Sequence, residues 1–238
     1  MPGWLRSRIS HGYRGQPAED FRCLTAGDRT HGRTAINYRA INRFWQSATL
    51  FIAPPLIVLL IWFKPDMTLF QWLLCLHLPL LMLHESEEYV LAPLGFKEFF
   101  NLKSPFGSKT DPDFPLDEAY VFQVNIVIAY PIVILGALLA NVAPWVGFSM
   151  IWFELILNNA MHTIVFQPAK PSYNPGLVTN SFLLLPYGMV TLLVASGFFT
   201  PLDWVLSAVV GIGVAAALGL KTRGRLAKLK TSGALPVP

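Results

Sequence analysis

Residues 67–91 read MTLFQWLLCLHLPLLMLHESEEYVL, and this stretch decides the class of the fold. It stays apolar to Leu83 and then closes on His84-Glu85-Ser86-Glu87-Glu88. About 20 apolar residues cross a hydrocarbon core of roughly 30 Å. Such a segment ordinarily ends in Lys, Arg or an aromatic belt residue, not in a block of acids. Charge at membrane depth is costly, so these groups are read as functional and a partner is sought for them. The expected partner is His162, in the stretch Asn158-Asn159-Ala160-Met161-His162 of another apolar run.

The composition agrees with a membrane class. Hydrophobic residues make up 53% of the chain and charged residues 13%, with a mean hydropathy of +0.47. A soluble domain carries about 25% charged residues. Six stretches are long enough to span, near 44–63, 67–91, 119–142, 144–167, 178–199 and 201–220. Polar residues interrupt the fourth and fifth. The expected fold is therefore an all-α polytopic membrane helix bundle of about six transmembrane helices. Three segments organise it: a basic arm over 1–43, the spanning domain over 44–220, and a basic tail over 221–238. The arm holds eight arginines against three acids and no apolar run, which predicts disorder; an anionic-lipid contact is the functional alternative. It is too polar for a cleavable signal peptide. Cys23 and Cys75 form neither a disulfide framework nor a metal spacing.

Positive charge sets the orientation. Arg39 and Arg43 precede the first stretch; Lys97, Lys103 and Lys109 lie between the second and third. Lys170 lies between the fourth and fifth, and Lys221, Arg223, Arg225, Lys228 and Lys230 follow the sixth. Only Lys64 stands on the other side. Cytoplasmic loops collect Lys and Arg, so both termini are expected in the cytoplasm, as an even span count also requires. The second and fourth stretches then run the same way. His84–Glu88, Asn158–His162, the loop Pro171-Ser172-Tyr173-Asn174-Pro175-Gly176, Thr179, Asn180, Gln123 and Asn125 all fall toward one leaflet.

Helical spacing refines this cluster. His84 and Glu88 are four apart and share a face, with Glu87 beside them at three apart, while Glu85 points elsewhere. His77 shares the stripe about 10 Å deeper. Glu154, Asn158 and His162 form a second stripe at four-residue spacing. Facing His and Glu side chains on bundle helices are a known construction for metal sites. His84, Glu88 and His162 are the expected ligands of a divalent transition metal, zinc or non-haem iron. Glu87 is the expected proton acceptor, and Asn158 orients a ligand or the substrate. A proton relay, or a hydrogen-bonded pair that only fixes helix packing, would use the same stripes. His77 reads as a core histidine with a satisfied partner, and Glu154 as a group holding Asn125 or a water, or as part of the site.

Pro54, Pro55, Pro79, Pro131 and Pro186 fall inside four stretches and read as tolerated helix interruptions. Pro175-Gly176 reads as a turn into a helix that starts near Thr179. The free N–H groups of that helix are candidates to meet an anionic substrate group. The amphipathic, aromatic segment Phe96–Phe106 is expected along the headgroups.

These residues resemble the HXXEE family, whose naming motif stands here as His84-x-x-Glu87-Glu88, followed by Asn158-x-x-x-His162 and the loop with Tyr173, Pro175-Gly176 and Thr179. The resemblance covers roughly 44–220. It implies a small bacterial integral membrane protein of undetermined activity, with His84, Glu87, Glu88, Asn158 and His162 as its site. Intramembrane CAAX-type proteases also pair adjacent glutamates with His- and Asn-bearing helices. Their first motif continues to an arginine where Ala92 stands here, and their Asn and His come in the opposite order, so that likeness is analogy only. The leading expectation is a membrane-embedded, metal-dependent, hydrolase-like enzyme acting on a lipid or isoprenoid-type substrate from the cytoplasmic leaflet. The alternatives are a metal-free acid–base isomerase or cyclase, and a small proton-coupled transporter or channel. The bilayer is the expected partner, and nucleic acid is not.

Overall fold

A computed structural model describes residues 36–167 and 173–231. The arm from 1 to 35, with Cys23, lies outside the described residues, as do Lys170, Pro171, Ser172 and the last residues of the tail. Within them the protein is all-helical, with no strand. Helix α1 is Tyr38–Phe63 and α2 is Leu69–Ser86, which continues through a wide turn at Glu87–Leu91. The short α3 is Phe96–Lys103. Helix α4 runs over Glu118–Leu138, and α5 over Pro144–Phe153 and on through Glu154–Asn159 and Met161–Phe166. Helices α6 (Leu177–Ala195) and α7 (Pro201–Thr231) complete the bundle.

Local chemistry explains the ends. Asn37 accepts a hydrogen bond from the Ala40 amide at 3.1 Å and starts α1 six residues before the expected 44. Thr68 caps α2 in the same way, accepting from the Gln71 amide. Helix α7 does not stop at 220. It continues through the basic stretch, where Arg225 pairs with Asp117 and Thr222 hydrogen-bonds Tyr120, both at the N-terminal end of α4.

Four helical segments are long and apolar enough to cross a membrane: Tyr38–Asp66, Glu118–Leu138, Leu177–Ala195 and Pro201–Lys228. This is the make-up of a multi-pass membrane protein. Helices α2 and α5 are outside that set because Gln71, His77, His84, Glu154, Asn158 and His162 dilute their apolar character. They are also the helices that the others surround: α1 and α4 pack on α2, and α4 and α7 pack on α5. Gly136 of α4 and Gly147 of α5 meet backbone to backbone, an approach that any Cβ would block.

Three contacts give the direction of the central pair. His77 meets Glu154, His84 meets Asn158, and Glu88 meets His162. Residue numbers rise together, so α2 and α5 run parallel and bring their C-terminal turns to the same end. The apolar cluster of Phe70, Leu74, Phe148 and Tyr187 fills the other end.

Residues 92–117 fold over the polar end. Phe99 and Phe100 of α3 turn inward onto Phe166, Leu116 and Tyr120. Lys97 is 5% exposed and donates to Asp113 and Glu118. Burial alone would lower its pKa, but the two carboxylates outweigh burial and hold the ammonium above its ordinary value. The segment expected along the headgroups thus turns Phe99 and Phe100 into the protein. Its aromatic face has a better apolar surface available inside the protein.

Candidate metal centre

Wide, π-type turns recur where the polar side chains stand: Glu87–Leu91, Gln123–Ala129, Glu154–Asn159, Met161–Phe166 and Asn180–Leu184. Such turns rotate the register of a helix and are common at functional sites. Here they aim Glu88, Asn158 and His162 at one another from two helices. Ligating atoms of His84, Glu88 and His162 lie within 4.8 Å of one another, and all three residues are buried. His84 Nε2 is 3.5 Å from Glu88 Oε1, and His162 Nε2 is 3.3 Å from the same oxygen.

Hydrogen bonds behind the rings assign the tautomers. Asn174 donates from Nδ2 to the His162 carbonyl at 2.8 Å, which turns its Oδ1 toward His162 Nδ1 at 3.0 Å. His162 Nδ1 is therefore the donor, and Nε2 carries the lone pair. On the other ring, Thr179 Oγ1 donates to Glu87 Oε2 at 2.6 Å and lies 2.9 Å from His84 Nδ1. The hydroxyl proton is committed to Glu87, so His84 donates from Nδ1 and its Nε2 also carries a lone pair. Asn158 Nδ2 approaches that nitrogen at 2.9 Å and donates to Glu154 Oε2 at 2.7 Å. His162 Nε2 has no hydrogen-bond partner among the described residues. The Asn158 amide thus meets the His84 lone pair, while the unpartnered His162 lone pair and the Glu88 oxygen lie close by; a cation on all three atoms would take the place of the Asn158 hydrogen bond.

Gly176 closes the cluster from the loop side with φ +87°. A Cβ there would stand 2.7 Å from His84 Cε1, 2.9 Å from Glu88 Cγ and 3.0 Å from His162 Cε1. Only glycine gives both this backbone conformation and this approach. Helical spacing gave Gly176, Asn174 and Thr179 no role at the site. The signals available were the topology, which put this loop and Thr179 toward the same leaflet as the histidines, and the loop motif of the resemblance.

Glu87 does not join the three ligands. Its carboxylate accepts from the Val178 and Thr179 amides, the Thr179 hydroxyl and the Tyr173 hydroxyl. Burial and this carboxylate push the Tyr173 phenol up to about 12, so it stays a donor. Glu87, the expected proton acceptor, has both its oxygens engaged. The expectation that the α6 N-terminus awaits a substrate anion is corrected: the anion there is Glu87 itself. Glu85, read as pointing elsewhere, is 1% exposed and accepts from the Tyr130 hydroxyl. Glu154 holds Asn158, not Asn125, which donates to Tyr89 at 3.3 Å. His77 is buried, but its Nε2 finds no hydrogen bond among the described residues and sits 4.0 Å from Glu154 Oε1.

A cavity of about 270 Å³ opens beside the cluster. Its polar wall holds His84, Glu85, Glu88, Glu154, Asn158 and His162, and Phe96, Phe100, Phe153 and Phe166 belong to its apolar wall.

Fold and site together define a multi-pass helical membrane protein with a buried two-histidine, one-carboxylate donor set. Residues 75–191 match the family described as a protein of unknown function with HXXEE motif, so the chain carries an HXXEE domain. The match contains every donor described above. No curated protein and no solved structure matches the chain.

Proposed function

We propose that this protein is a membrane-embedded metalloenzyme of the bacterial cytoplasmic membrane, acting on a lipid or isoprenoid-type substrate from the cytoplasmic leaflet. The observation that carries the reading is the convergence of His84 Nε2, His162 Nε2 and Glu88 Oε1, with both Nδ1 atoms already used as donors. Two histidines and one carboxylate suit zinc or non-haem iron. A bound divalent metal would act as a Lewis acid and bring the pKa of water to roughly 7.

In this reading α2 and α5 also span, giving six crossings with both termini cytoplasmic. The four apolar helices screen them from lipid, so their polar stripes never meet the hydrocarbon. His84, Glu88 and His162 hold the ion. Glu87 acts at one remove, steering the Thr179 hydroxyl that orients His84. With Glu87 engaged, Glu154 is the carboxylate placed to accept a proton: it lines the cavity, and Asn158 ties it to His84. The apolar wall suits a hydrocarbon chain and keeps bulk water out.

One observation favours a second reading. His77, Glu154, Asn158 and His84 form a polar line along the α2–α5 interface, with steps of 4.0, 2.7 and 2.9 Å. A proton-coupled carrier would use such a line as its relay.

Elemental analysis of detergent-purified protein prepared without chelator tests the proposal. About one zinc or iron per chain, lost in His162→Ala, is the expected result. A metal-free preparation whose affinity for added Zn²⁺ is unchanged by His162→Ala removes the metalloenzyme reading and leaves the relay.

A further inference from the structure

The cavity has a second side that the metal cluster does not explain. It extends past Tyr120 and Val124 to Leu218, Gly219, Thr222 and Arg223 on the basic end of α7. The flanking cations are engaged there: Lys221 reaches Gln123 and the Tyr120 ring, and Arg225 pairs with Asp117. Arg223, exposed and lining the cavity, makes no hydrogen bond or ion pair to any described residue. One turn earlier on the same face, a Cβ added to Gly219 would meet nothing within 4 Å, so the mouth is open at that point.

We propose that this cavity binds one chain of an anionic single-chain lipid, with its carboxylate or phosphate head on Arg223 and its hydrocarbon against the aromatic wall. The inference rests on the lipid-substrate reading above and adds the head chemistry. An arginine fork matches either oxyanion with paired hydrogen bonds. Lys221, Arg223 and Arg225 stand together on α7 against Asp117, which pairs with Arg225, so the local field favours an anion. Phe96, Phe100, Phe106 and Phe166 offer the chain an apolar lining, and about 270 Å³ suits one chain better than two. The bond presented to His84, Glu88 and His162 is then one carried on the chain, away from the head.

The test is direct binding to purified full-length protein in a neutral detergent, by calorimetry, of dodecanoate, dodecyl phosphate and dodecanol. The expected result is that at least one anion binds on the order of tenfold more tightly than the alcohol. Arg223→Gln should erase that preference while leaving the alcohol unchanged. Gly219→Phe, whose side chain has room at its base, should weaken all three probes by obstructing the mouth. The tighter of the two anions identifies the head. Equal binding of anions and alcohol, no binding at all, or a preference that survives Arg223→Gln overturns the proposal. His84→Ala separates it from the metal reading: metal content should fall while the anion preference remains.

Discussion

His84 Nδ1 lies 2.9 Å from Thr179 Oγ1, and this bond decides which nitrogen of His84 faces Glu88. The hydroxyl gives its own proton to Glu87, so it can only accept from the ring. A threonine on α6 and a glutamate one turn after His84 therefore set the ring of a candidate ligand on α2. Such outer contacts govern metal affinity by about 10- to 100-fold.

Thr179→Val is accordingly expected to lower metal affinity by one to two orders of magnitude, while Thr179→Ser retains it. Chelator competition on the two variants measures this. Equal affinities would remove Thr179 from the site.

The two motif glutamates should separate by readout. Glu88→Gln removes a ligand and should release the metal with a modest change in thermal stability. Glu87→Gln weakens the bonds that hold the α6 N-terminus and Tyr173. Losing charge-assisted hydrogen bonds costs about 1–3 kcal/mol, so this variant should show the larger drop in melting temperature. Melting curves and metal content on both proteins test the contrast, and an unchanged melting temperature for Glu87→Gln would contradict it.

Gly176→Ala should damage fold and site together. The left-handed backbone and the approach to both imidazoles each oppose a methyl group, and strain at such a position costs on the order of 1–3 kcal/mol. Reduced metal stoichiometry with a lower melting temperature is the expected pair of results. A variant with wild-type values for both would show that the loop sits farther from the rings.

The proposed six crossings predict that a reporter fused after Lys228 reads cytoplasmic and one inserted near Asp66 reads the opposite side. If both report the same side, the number of crossings between them is even, not the proposed five, and the topology fails.

Much of the helix plan was legible from apolar run lengths, and the pairing of the second and fourth runs from their polar stripes. His84, Glu88 and His162 could be singled out because acids and imidazoles at the end of an apolar run have no cheap surroundings. Four-residue spacing put Asn158 on one stripe with Glu154, and the two are hydrogen-bonded. The same spacing did not show where the Glu87 carboxylate goes, since a wide turn beginning at Glu87 changes the angle at which successive side chains leave the helix. It also did not show that Phe99 and Phe100 pack inside the protein, because an amphipathic pattern is satisfied equally by a headgroup layer or by the protein's own aromatic face.

By itself the sequence determined the class, the helical plan and the candidate donor residues, because each follows from a one-dimensional quantity: run length, composition or helical period. Only the tertiary structure decided what those donors do. Asn174 and Thr179 lie 12 and 95 residues from the rings they orient, and Gly176 makes room for both. The protonated nitrogen of each histidine, and the engagement of Glu87 away from the cavity, depend on which hydrogen-bond partner arrives through space. No periodicity along the chain encodes that arrival.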